Sequence, residues 1–194
     1  MSGRSLRERL RALLSRLEPR SLSLGSSSEA AVLIPIFERG GAPHFLLTRR
    51  TEEVPTHKGQ IAFPGGRRHD GEELETTALR ETFEEVGIAA SSIEVLGRYH
   101  DYLSSTGYRV VSFAGYVEDP FTTILQAREV AEVLEVPFEV FLDPGRIRVD
   151  QKLWRGEWVA VPYVRFGAVE IWGLTARIIL DFLAELRGRT DPGA

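Results

Sequence analysis

Three glutamates lie close together in the sequence, at positions where an α-helix would bring their side chains to one side. They are Glu81, Glu84 and Glu85, and they follow the pair Gly65 and Gly66. Residues three and four apart share a helix face, so the three carboxylates converge. Neighbouring like charges destabilise an isolated helix. A hard divalent cation would compensate them, because carboxylate oxygens are the ligands that Mg²⁺ and Mn²⁺ prefer.

The spacing around these glutamates matches a known signature. Gly66 is followed after five residues by Glu72, and after seven more by residues 80–88, RETFEEVGI. This pattern resembles the Nudix box, G-x5-E-x7-R-E-U-x-E-E-x-G-U, where U is aliphatic. The one departure is Thr82, for which we expect a small change in packing and no loss of chemistry. A solvated acidic helix face is the alternative, but it would not require the Gly and Arg positions.

A second signature lies immediately upstream. Residues 46–51, LLTRRT, and 57–66, HKGQIAFPGG, resemble the segment LLTxR[SA]-x3-R-x3-G-x3-FPGG. That segment marks the coenzyme A diphosphatase branch of the Nudix hydrolases. Thr51 stands where Ser or Ala is usual and retains a hydroxyl, whereas Pro55 stands where Arg is usual and removes a cationic side chain.

The resemblance implies an α+β fold, the Nudix fold, in which a mixed β-sheet is sandwiched between α-helices. It implies hydrolysis of a phosphoric anhydride, with CoA or a CoA derivative cut to 3′,5′-ADP and 4′-phosphopantetheine. It also implies Mg²⁺ or Mn²⁺ as the cofactor. The metal ligands carried over from the family are Glu81, Glu84, Glu85 and the backbone carbonyl of Gly65.

A diphosphate needs such a cation because its oxygens are anionic and repel a nucleophile. A bound metal neutralises them and lowers the pKa of a water molecule, so catalysis is mostly positioning and electrostatics. Glu81 and Glu85, one turn apart, are the best-placed pair. The fork of Arg80 suits a bidentate contact that holds a carboxylate, with an exposed helix charge as the alternative. Glu72 is a distant ligand or, as we favour, a structural charge.

The catalytic base is open on sequence alone. Some Nudix enzymes use a box glutamate, and Glu84 is the box candidate here. Others use a side chain from a later loop, and the candidates outside the box are Glu129, Glu132, Glu135, His57 and His100. Glu129 is preferred because it lies at a boundary between loop and strand, from which a side chain reaches back to the metal.

Basic residues upstream of the box are candidates for substrate binding. The 3′-phosphate of CoA requires cationic partners, and Arg49, Arg50 and Lys58 supply them, with ordinary exposed charges as the alternative. His57 adds to this basic segment. Small size at Gly65 and Gly66 allows the backbone to approach metal and phosphate.

Composition agrees with one enzyme domain. The chain has 194 residues, 43% hydrophobic and 27% charged, and a net charge of −4, so nothing global favours nucleic acid. The absence of cysteine excludes disulfides, thiolate metal sites and a cysteine nucleophile. No run is long enough to span a bilayer, and the arginine-rich start has no apolar signal core. We therefore expect a cytoplasmic protein whose partner is a small molecule; a homodimer is left open.

The order of elements divides the chain into a helix and Ser-rich loop at 1–28, a Nudix domain at 29–188 and a tail at 189–194. Leucines in Ser2–Leu17 have helical spacing. That helix lies on a membrane surface or, as we favour, packs on the domain or a second subunit. The expected strands, with 129–136 ambiguous between strand and helix, are 30–37, 44–48, 60–63, 93–102, 110–117 and 158–164, before a closing helix at 174–186.

The helix of the Nudix box is predicted in more detail. Asp70 and Glu73 form a capping box at its start, and Gly87 suits its C-terminal cap. Its core-facing stripe is expected to be formed by Leu79, Phe83 and Val86.

Two other functions compete with CoA hydrolysis. One is a Nudix hydrolase of another dinucleotide, such as NADH or ADP-ribose. The other is a non-catalytic module that binds a nucleotide as a regulatory ligand. Such a module would be expected to lose a box glutamate, whereas all three are present.

Overall fold

A computed structural model describes residues 5–23, 28–51 and 59–188. Its helices and strands are, in chain order, α1 Leu6–Leu14, β1 Glu29–Arg39, β2 Ala42–Arg50, β3 Ile61–Ala62, β4 Gly65–Arg67, α2 Leu74–Val86, β5 Ile93–Leu103, β6 Arg109–Val117, β7 Val130–Pro137, α3 Phe138–Leu142, β8 Ile147–Trp154, β9 Glu157–Phe166, β10 Val169–Trp172 and α4 Gly173–Leu186. The α+β fold class is confirmed.

The main sheet has seven strands and is mixed. Its central path runs β3-β2-β1-β6-β5, with β4 paired to β1 and β7 paired to β2. Strands β1 and β6 are parallel, and the other pairs in this sheet are antiparallel. The end of β2, the start of β7 and the start of β4 therefore lie near one another, and β4 leads directly into α2.

Helices cover both faces of this sheet, as the sandwich prediction requires. On one face, Ala78 and Val86 of α2 pack with Leu33 and Leu46 of the strands. On the other face, residues of α1 and α4 share a core with Phe45 and the second sheet. That second sheet has the order β10-β9-β8 and is antiparallel. Alternation along each strand sends neighbouring side chains to opposite cores.

The N-terminal helix packs on the domain. Ser5 and Glu8 form a capping box at its start, which satisfies N–H groups that the first turn leaves free. Leu6, Leu10 and Leu14 are buried in the core shared with α4. The described part of the chain contains no helix that is long and apolar enough to cross a membrane.

Helix α2 corrects two expectations. The predicted capping box of Asp70 and Glu73 is wrong: the helix begins at Leu74, and Glu73 is its N-cap residue without a side-chain bond to the backbone. The predicted apolar stripe is wrong at Phe83, which is 56% exposed. The helix instead buries Thr77, Ala78, Thr82, Glu85 and Val86. The inward face of α2 is therefore formed mainly by small and polar side chains.

Thr82 and Gly87 behave as expected. Thr82 is fully buried, and its hydroxyl donates to the carbonyl of Ala78 at 2.7 Å, so this buried polar group is satisfied within the helix. Gly87 has a φ of 75°, a left-handed conformation that glycine adopts at helix ends.

The predicted strands agree closely with those of the structure, which also contains elements that were not predicted. Residues 129–136, ambiguous from sequence, form β7 from Val130 and pair with β2. Strands β4, β8 and β10 and helix α3 were not predicted. Most β8 side chains are exposed, so that strand carries a weak pattern of alternating burial.

Candidate active site

Arg80, in the middle of α2, lies at the centre of an ion-pair network that reaches back to Glu72, just before the helix. Its Nε and Nη2 donate to the two carboxylate oxygens of Glu72 at 2.8 and 3.0 Å. Its Nη1 donates to Glu81 at 2.8 Å and to Glu84 at 3.1 Å. Nη2 also donates to the carbonyl of Arg67 at 3.1 Å. The expected bidentate contact is therefore made with Glu72, and each guanidinium nitrogen has a partner.

Glu72 is correspondingly well satisfied. Besides Arg80, it accepts from the hydroxyl of Thr77 at 2.7 Å and from the backbone N–H of His69 at 3.1 Å. The hydrogen bonds from Arg80 are the main reason that its pKa is lowered to about 2. These contacts tie the loop before α2 to the helix, which supports the structural role favoured for Glu72.

Glu85 has the opposite surroundings. It is 4% exposed, and burial raises the pKa of its carboxyl to about 8. Among the described residues, the carboxylate of Glu85 accepts one hydrogen bond, at 3.3 Å, from the N–H of Gly65, and Nη1 of Arg50 lies 3.7 Å from its Oε1. The negative charges of Glu81 and Glu129 raise its pKa further. A buried carboxylate with so little compensation from the described residues is a candidate cation ligand.

The surroundings of Glu81 are intermediate between those of Glu72 and those of Glu85. Its side chain is 16% exposed, and burial raises its pKa although the bond from Arg80 acts in the opposite direction. A Cβ on Gly66 would lie 2.6 Å from one carboxylate oxygen of Glu81, and one on Gly65 would lie 2.7 Å from the Cα of Val32. Both glycines are thus required by close approach: Gly66 lets the loop backbone lie against the carboxylate of Glu81, and Gly65 lets it lie against β1.

The donor set fits a divalent metal. Within residues 5–23, 28–51 and 59–188, no three His, Asp or Glu side chains are already arranged as metal ligands. Mg²⁺ needs few protein ligands because it retains several waters, so the buried Glu85 and the half-buried Glu81 would be the residues to hold it, with Glu84 as the third carboxylate. Glu84 is 54% exposed and bonded to Arg80.

Comparisons with known proteins agree with this geometry. The NUDIX domain profile matches residues 27–161. The chain is 40% identical over 188 residues to an uncharacterized Nudix hydrolase, NudL, of Yersinia enterocolitica, covering 92% of this chain and 91% of that protein. The chain belongs to the Nudix family.

Further relatives and solved structures extend the comparison. The mitochondrial Nudix hydrolase 15 of Arabidopsis thaliana is 34% identical over 159 residues, which cover 78% of this chain and 56% of that protein. A MutT/nudix protein from Enterococcus faecalis has a TM-score of 0.55 at 18% identity, covering 95% and 70% of the two chains. An Ap4A hydrolase from C. elegans has a TM-score of 0.52 at 21% identity, covering 57% and 81%. These two structures establish the Nudix fold.

As a Nudix hydrolase, the chain acts on phosphoric anhydrides of nucleoside diphosphate derivatives. Nudix hydrolases generally use divalent cations such as Mg²⁺ or Mn²⁺. Bound here, such a cation would neutralise the diphosphate and lower the pKa of an attacking water. The chain itself supplies buried carboxylates, a backbone that approaches them closely and a fixed Arg80 network that holds α2 in place.

Among the described base candidates outside the box, Glu129 is the one that the structure brings to the box glutamates. Its charge acts on both Glu81 and Glu85. Glu132 instead pairs with Arg49 at 2.8 Å, and Glu135 pairs with Arg39 at 2.8 Å. Glu129 remains the predicted base.

Two further residues singled out in the sequence, His100 and Thr51, have hydrogen-bond partners in the structure. His100 contacts Glu185 of α4 at 2.8 Å through Nε2 and accepts from the backbone N–H of Arg20 at 3.0 Å, so it is not brought to the Nudix box. The hydroxyl of Thr51 donates to the carbonyl of Arg128 at 2.8 Å. This contact anchors the loop that carries Glu129, and it uses the hydroxyl that Thr51 shares with Ser but not with Ala.

The predicted substrate cations are separated. Arg50 lies beside Glu85, whereas Arg49 pairs with Glu132. His57 and Lys58, like Pro55, lie outside the described residues. The sequence analysis groups Arg49 and Arg50 as one set of cations. Both lie in β2, where alternation sends neighbouring side chains to opposite faces of the sheet, and this alternation is the sequence signal that separates them.

Proposed function

We propose that this Nudix hydrolase cuts the diphosphate bond of CoA or a CoA derivative, releasing 3′,5′-ADP and 4′-phosphopantetheine. One observation carries the proposal. The segment that resembles the CoA diphosphatase signature touches the candidate metal ligand at two points, through Arg50 near its start and Gly65 near its end. The part of the sequence typical of CoA hydrolases therefore forms one wall of the candidate active site.

The proposed roles follow from the surroundings of each residue. Glu81 and Glu85 hold the cation, with Glu84 and the carbonyl of Gly65 as further ligands. Glu129 removes a proton from the attacking water. The 3′-phosphate, which distinguishes CoA from dephospho-CoA, is bound by a cation of the segment, and Arg49, Arg50 and Lys58 are the candidates.

A substrate panel tests this proposal. CoA, acyl-CoAs, dephospho-CoA, NADH and ADP-ribose are each incubated with Mg²⁺ or Mn²⁺, and the products are identified by mass. We expect dephospho-CoA to be the poorer substrate by roughly ten- to a hundredfold, chiefly through a higher KM, because a charged hydrogen bond lost contributes about 1.5–3 kcal/mol.

Two outcomes would change the assignment. Equal kcat/KM for CoA and dephospho-CoA would reject recognition of the 3′-phosphate. Faster hydrolysis of NADH or ADP-ribose than of any CoA compound would favour the alternative, a Nudix hydrolase of another dinucleotide. The chemistry proposed for Glu81 and Glu85 is common to both functions.

A further inference from the structure

Two arginines from distant parts of the chain lie against one tight turn between β5 and β6. The guanidinium carbon of Arg67, the last residue of β4, lies 5.0 Å from the ring centroid of Tyr108. Arg155, at the tip of the β8–β9 hairpin, reaches the preceding residue of the turn, because a Cβ on Gly107 would lie 3.2 Å from its Nη2. The backbone N–H of Ser104 donates to the carbonyl of Tyr108 at 2.9 Å, and the N–H of Tyr108 donates to the hydroxyl of Ser104 at 2.9 Å. These bonds fix the turn against which the two cations lie.

The arginines next to this turn in the sequence are paired with carboxylates, whereas Arg67 and Arg155 are not. Arg68 pairs with Glu29 at 3.0 Å, and Arg109 also pairs with Glu29. The guanidinium groups of Arg67 and Arg155 instead lie over aromatic rings, and neither forms an ion pair with a carboxylate in the part of the chain that the structure describes. Two positive charges held near one turn repel each other, so an anionic ligand group there would be stabilising.

The backbone conformation of Arg155 is a second sign of function. Its φ of 51° is positive, and every other described residue with a positive φ is a glycine. Arg155 and Gly156 form the two-residue loop of the β8–β9 hairpin, between the paired residues Trp154 and Glu157. Such loops favour Asn, Asp or Gly at the first position, because other side chains are strained there. An arginine at this point costs stability, and strain of this kind is concentrated at functional sites.

Strand alternation places Arg67 away from the diphosphate. A Cβ on Gly66 would lie against the carboxylate of Glu81, so Gly66 faces α2. Arg67, the next residue of β4, faces the opposite side of the sheet, and its Cα lies about 7 Å from that of Gly65 at about 3.3 Å per residue. A diphosphate held by a cation on Glu81 and Glu85 lies on the α2 side. The guanidinium of Arg67 is therefore placed for a part of the substrate beyond the diphosphate.

We propose that Arg67 and Arg155 bind the 3′-phosphate of CoA, with the ring of Tyr108 holding Arg67 in place. The planar forks of the two guanidinium groups match phosphate oxygens, and the distance from the diphosphate suits a phosphate on the ribose. This inference rests on the proposed hydrolysis of CoA and deepens it, because it names the residues that distinguish CoA from dephospho-CoA.

The two described cations of the signature segment meet this requirement less well. Arg49 is already paired with Glu132 at 2.8 Å, and Arg50 lies beside Glu85, at the end of the site where the cation would be held. A phosphate bound by Arg49 would have to displace a carboxylate. A phosphate bound by Arg50 would have to lie next to the diphosphate itself.

The variants Arg67→Gln and Arg155→Asn test the proposal. Asparagine removes the cation of Arg155 and suits the hairpin loop, so loss of the fold is not expected. The matched control is Arg68→Gln, which changes the neighbouring arginine that is paired with Glu29. Calorimetry measures the binding of 3′,5′-ADP and of AMP, which differ only in the 3′-phosphate. Steady-state kinetics with CoA and dephospho-CoA and thermal unfolding complete the comparison.

We expect each variant to bind 3′,5′-ADP about tenfold more weakly than the parent, as for a lost charged hydrogen bond, and to bind AMP as the parent does. The KM for CoA should rise by a similar factor with little change in kcat, while dephospho-CoA is unaffected. Arg155→Asn should also have a higher Tm than the parent, because the strain at this position is relieved. Arg68→Gln should bind both nucleotides as the parent does.

Three results would overturn the proposal. Equal affinity of the parent for 3′,5′-ADP and AMP would mean that the chain has no site for the 3′-phosphate. Parental binding of 3′,5′-ADP in either variant would remove that arginine from the site. Equal losses for 3′,5′-ADP and AMP would assign the arginines to another part of the nucleotide. If the parent does not hydrolyse CoA, the proposed substrate fails separately, and the comparison of 3′,5′-ADP with AMP still decides the role of Arg67 and Arg155.

Discussion

The two ends of helix α2 carry acidic side chains in opposite electrostatic states. At the N-terminal end, Glu72 accepts from Arg80, Thr77 and His69, and its pKa is lowered to about 2. At the C-terminal end, Glu85 accepts one long hydrogen bond from the residues that the structure describes, and burial raises its pKa to about 8. The carboxylate of Glu72 is hydrogen-bonded by its partners and ties the loop before α2 to the helix. We call this N-terminal end of α2 the closed end. Glu85 is buried with few partners among the described residues, which is the condition that a cation-binding site requires. We call the part of α2 around Glu85 its open end.

The largest expected effect comes from neutralising the open end. Glu85→Gln removes a charge but little volume, so we expect turnover to fall by at least about a hundredfold while the fold remains intact. Steady-state kinetics at saturating Mg²⁺ measure this loss. Glu75→Gln, which changes an exposed glutamate in the first turn of the same helix, is the matched control and should keep parental turnover. Near-normal turnover of Glu85→Gln would end its assignment as a metal ligand.

Disrupting the closed end should affect stability first. Arg80→Ala removes five hydrogen bonds and leaves Glu72 and Glu81 without their main cation. Breaking a buried pair costs about 3–5 kcal/mol, and these side chains are partly exposed, so we expect about 2–3 kcal/mol of unfolding free energy. Urea unfolding measures it. Arg68→Ala, which removes a more exposed pair with Glu29, should cost less than about 1 kcal/mol. Equal losses in both variants would mean that the Arg80 network adds nothing special.

Much of the arrangement of α2 was predictable from sequence, and the features that were not predicted have physical reasons. The Nudix spacing identified Arg80 as a residue that holds carboxylates, and Gly87 as the end of the helix. The inward face of α2 was misjudged at Phe83 because apolar periodicity assumes that a helix buries its largest apolar side chains. Here the helix must turn Glu85 toward the site, so Thr82 and Ala78 are buried and Phe83 is exposed.

Other features depended on three-dimensional neighbours. That Glu129 lies near Glu85 while Glu132 is held by Arg49 follows from the pairing of β2 with β7, which one strand's sequence does not encode. The unequal use of Arg49 and Arg50 followed from strand alternation. By contrast, it could be seen only in the folded chain that Nε of Arg50 is buried without a hydrogen-bond partner among the described residues.

The pH dependence of stability should have opposite signs at the two ends. Glu72 has a folded pKa below its ordinary value of 4.5. Its stabilisation is therefore present above about pH 4.5 and lost as the pH falls toward about 2. Glu85 has a folded pKa above 4.5. Folding is therefore favoured by its protonation at low pH, and stability is lost as the pH rises through about 8.

Urea unfolding from pH 3 to 9 in the presence of a chelator separates these contributions. Glu72→Gln should be less stable than the parent at pH 7 by about 1–2 kcal/mol, and the difference should shrink toward pH 3. Glu85→Gln should gain stability relative to the parent as the pH rises from 5 to 9. Added Mg²⁺ should reduce that gain, because a cation stabilises the parent carboxylate. Parallel pH profiles for the parent and both variants would contradict the contrast between the two ends.

The smallest expected effect concerns Glu84, whose position joins the two ends. It is the most exposed of the three box glutamates and accepts one bond, from Arg80 at 3.1 Å, although its place in the Nudix box predicts a metal ligand. We expect Glu84→Gln to change the free energy of unfolding by less than about 0.5 kcal/mol, because exposed pairs four residues apart contribute little. Mn²⁺ affinity, measured by calorimetry, should fall by less than about tenfold, since an exposed carboxylate retains its hydration and binds a cation less strongly than a buried one.

Lower Mn²⁺ affinity with unchanged stability would assign Glu84 to the open end of α2. A loss of stability as large as that of Glu72→Gln, with Mn²⁺ affinity unchanged, would instead make it part of the Arg80 network.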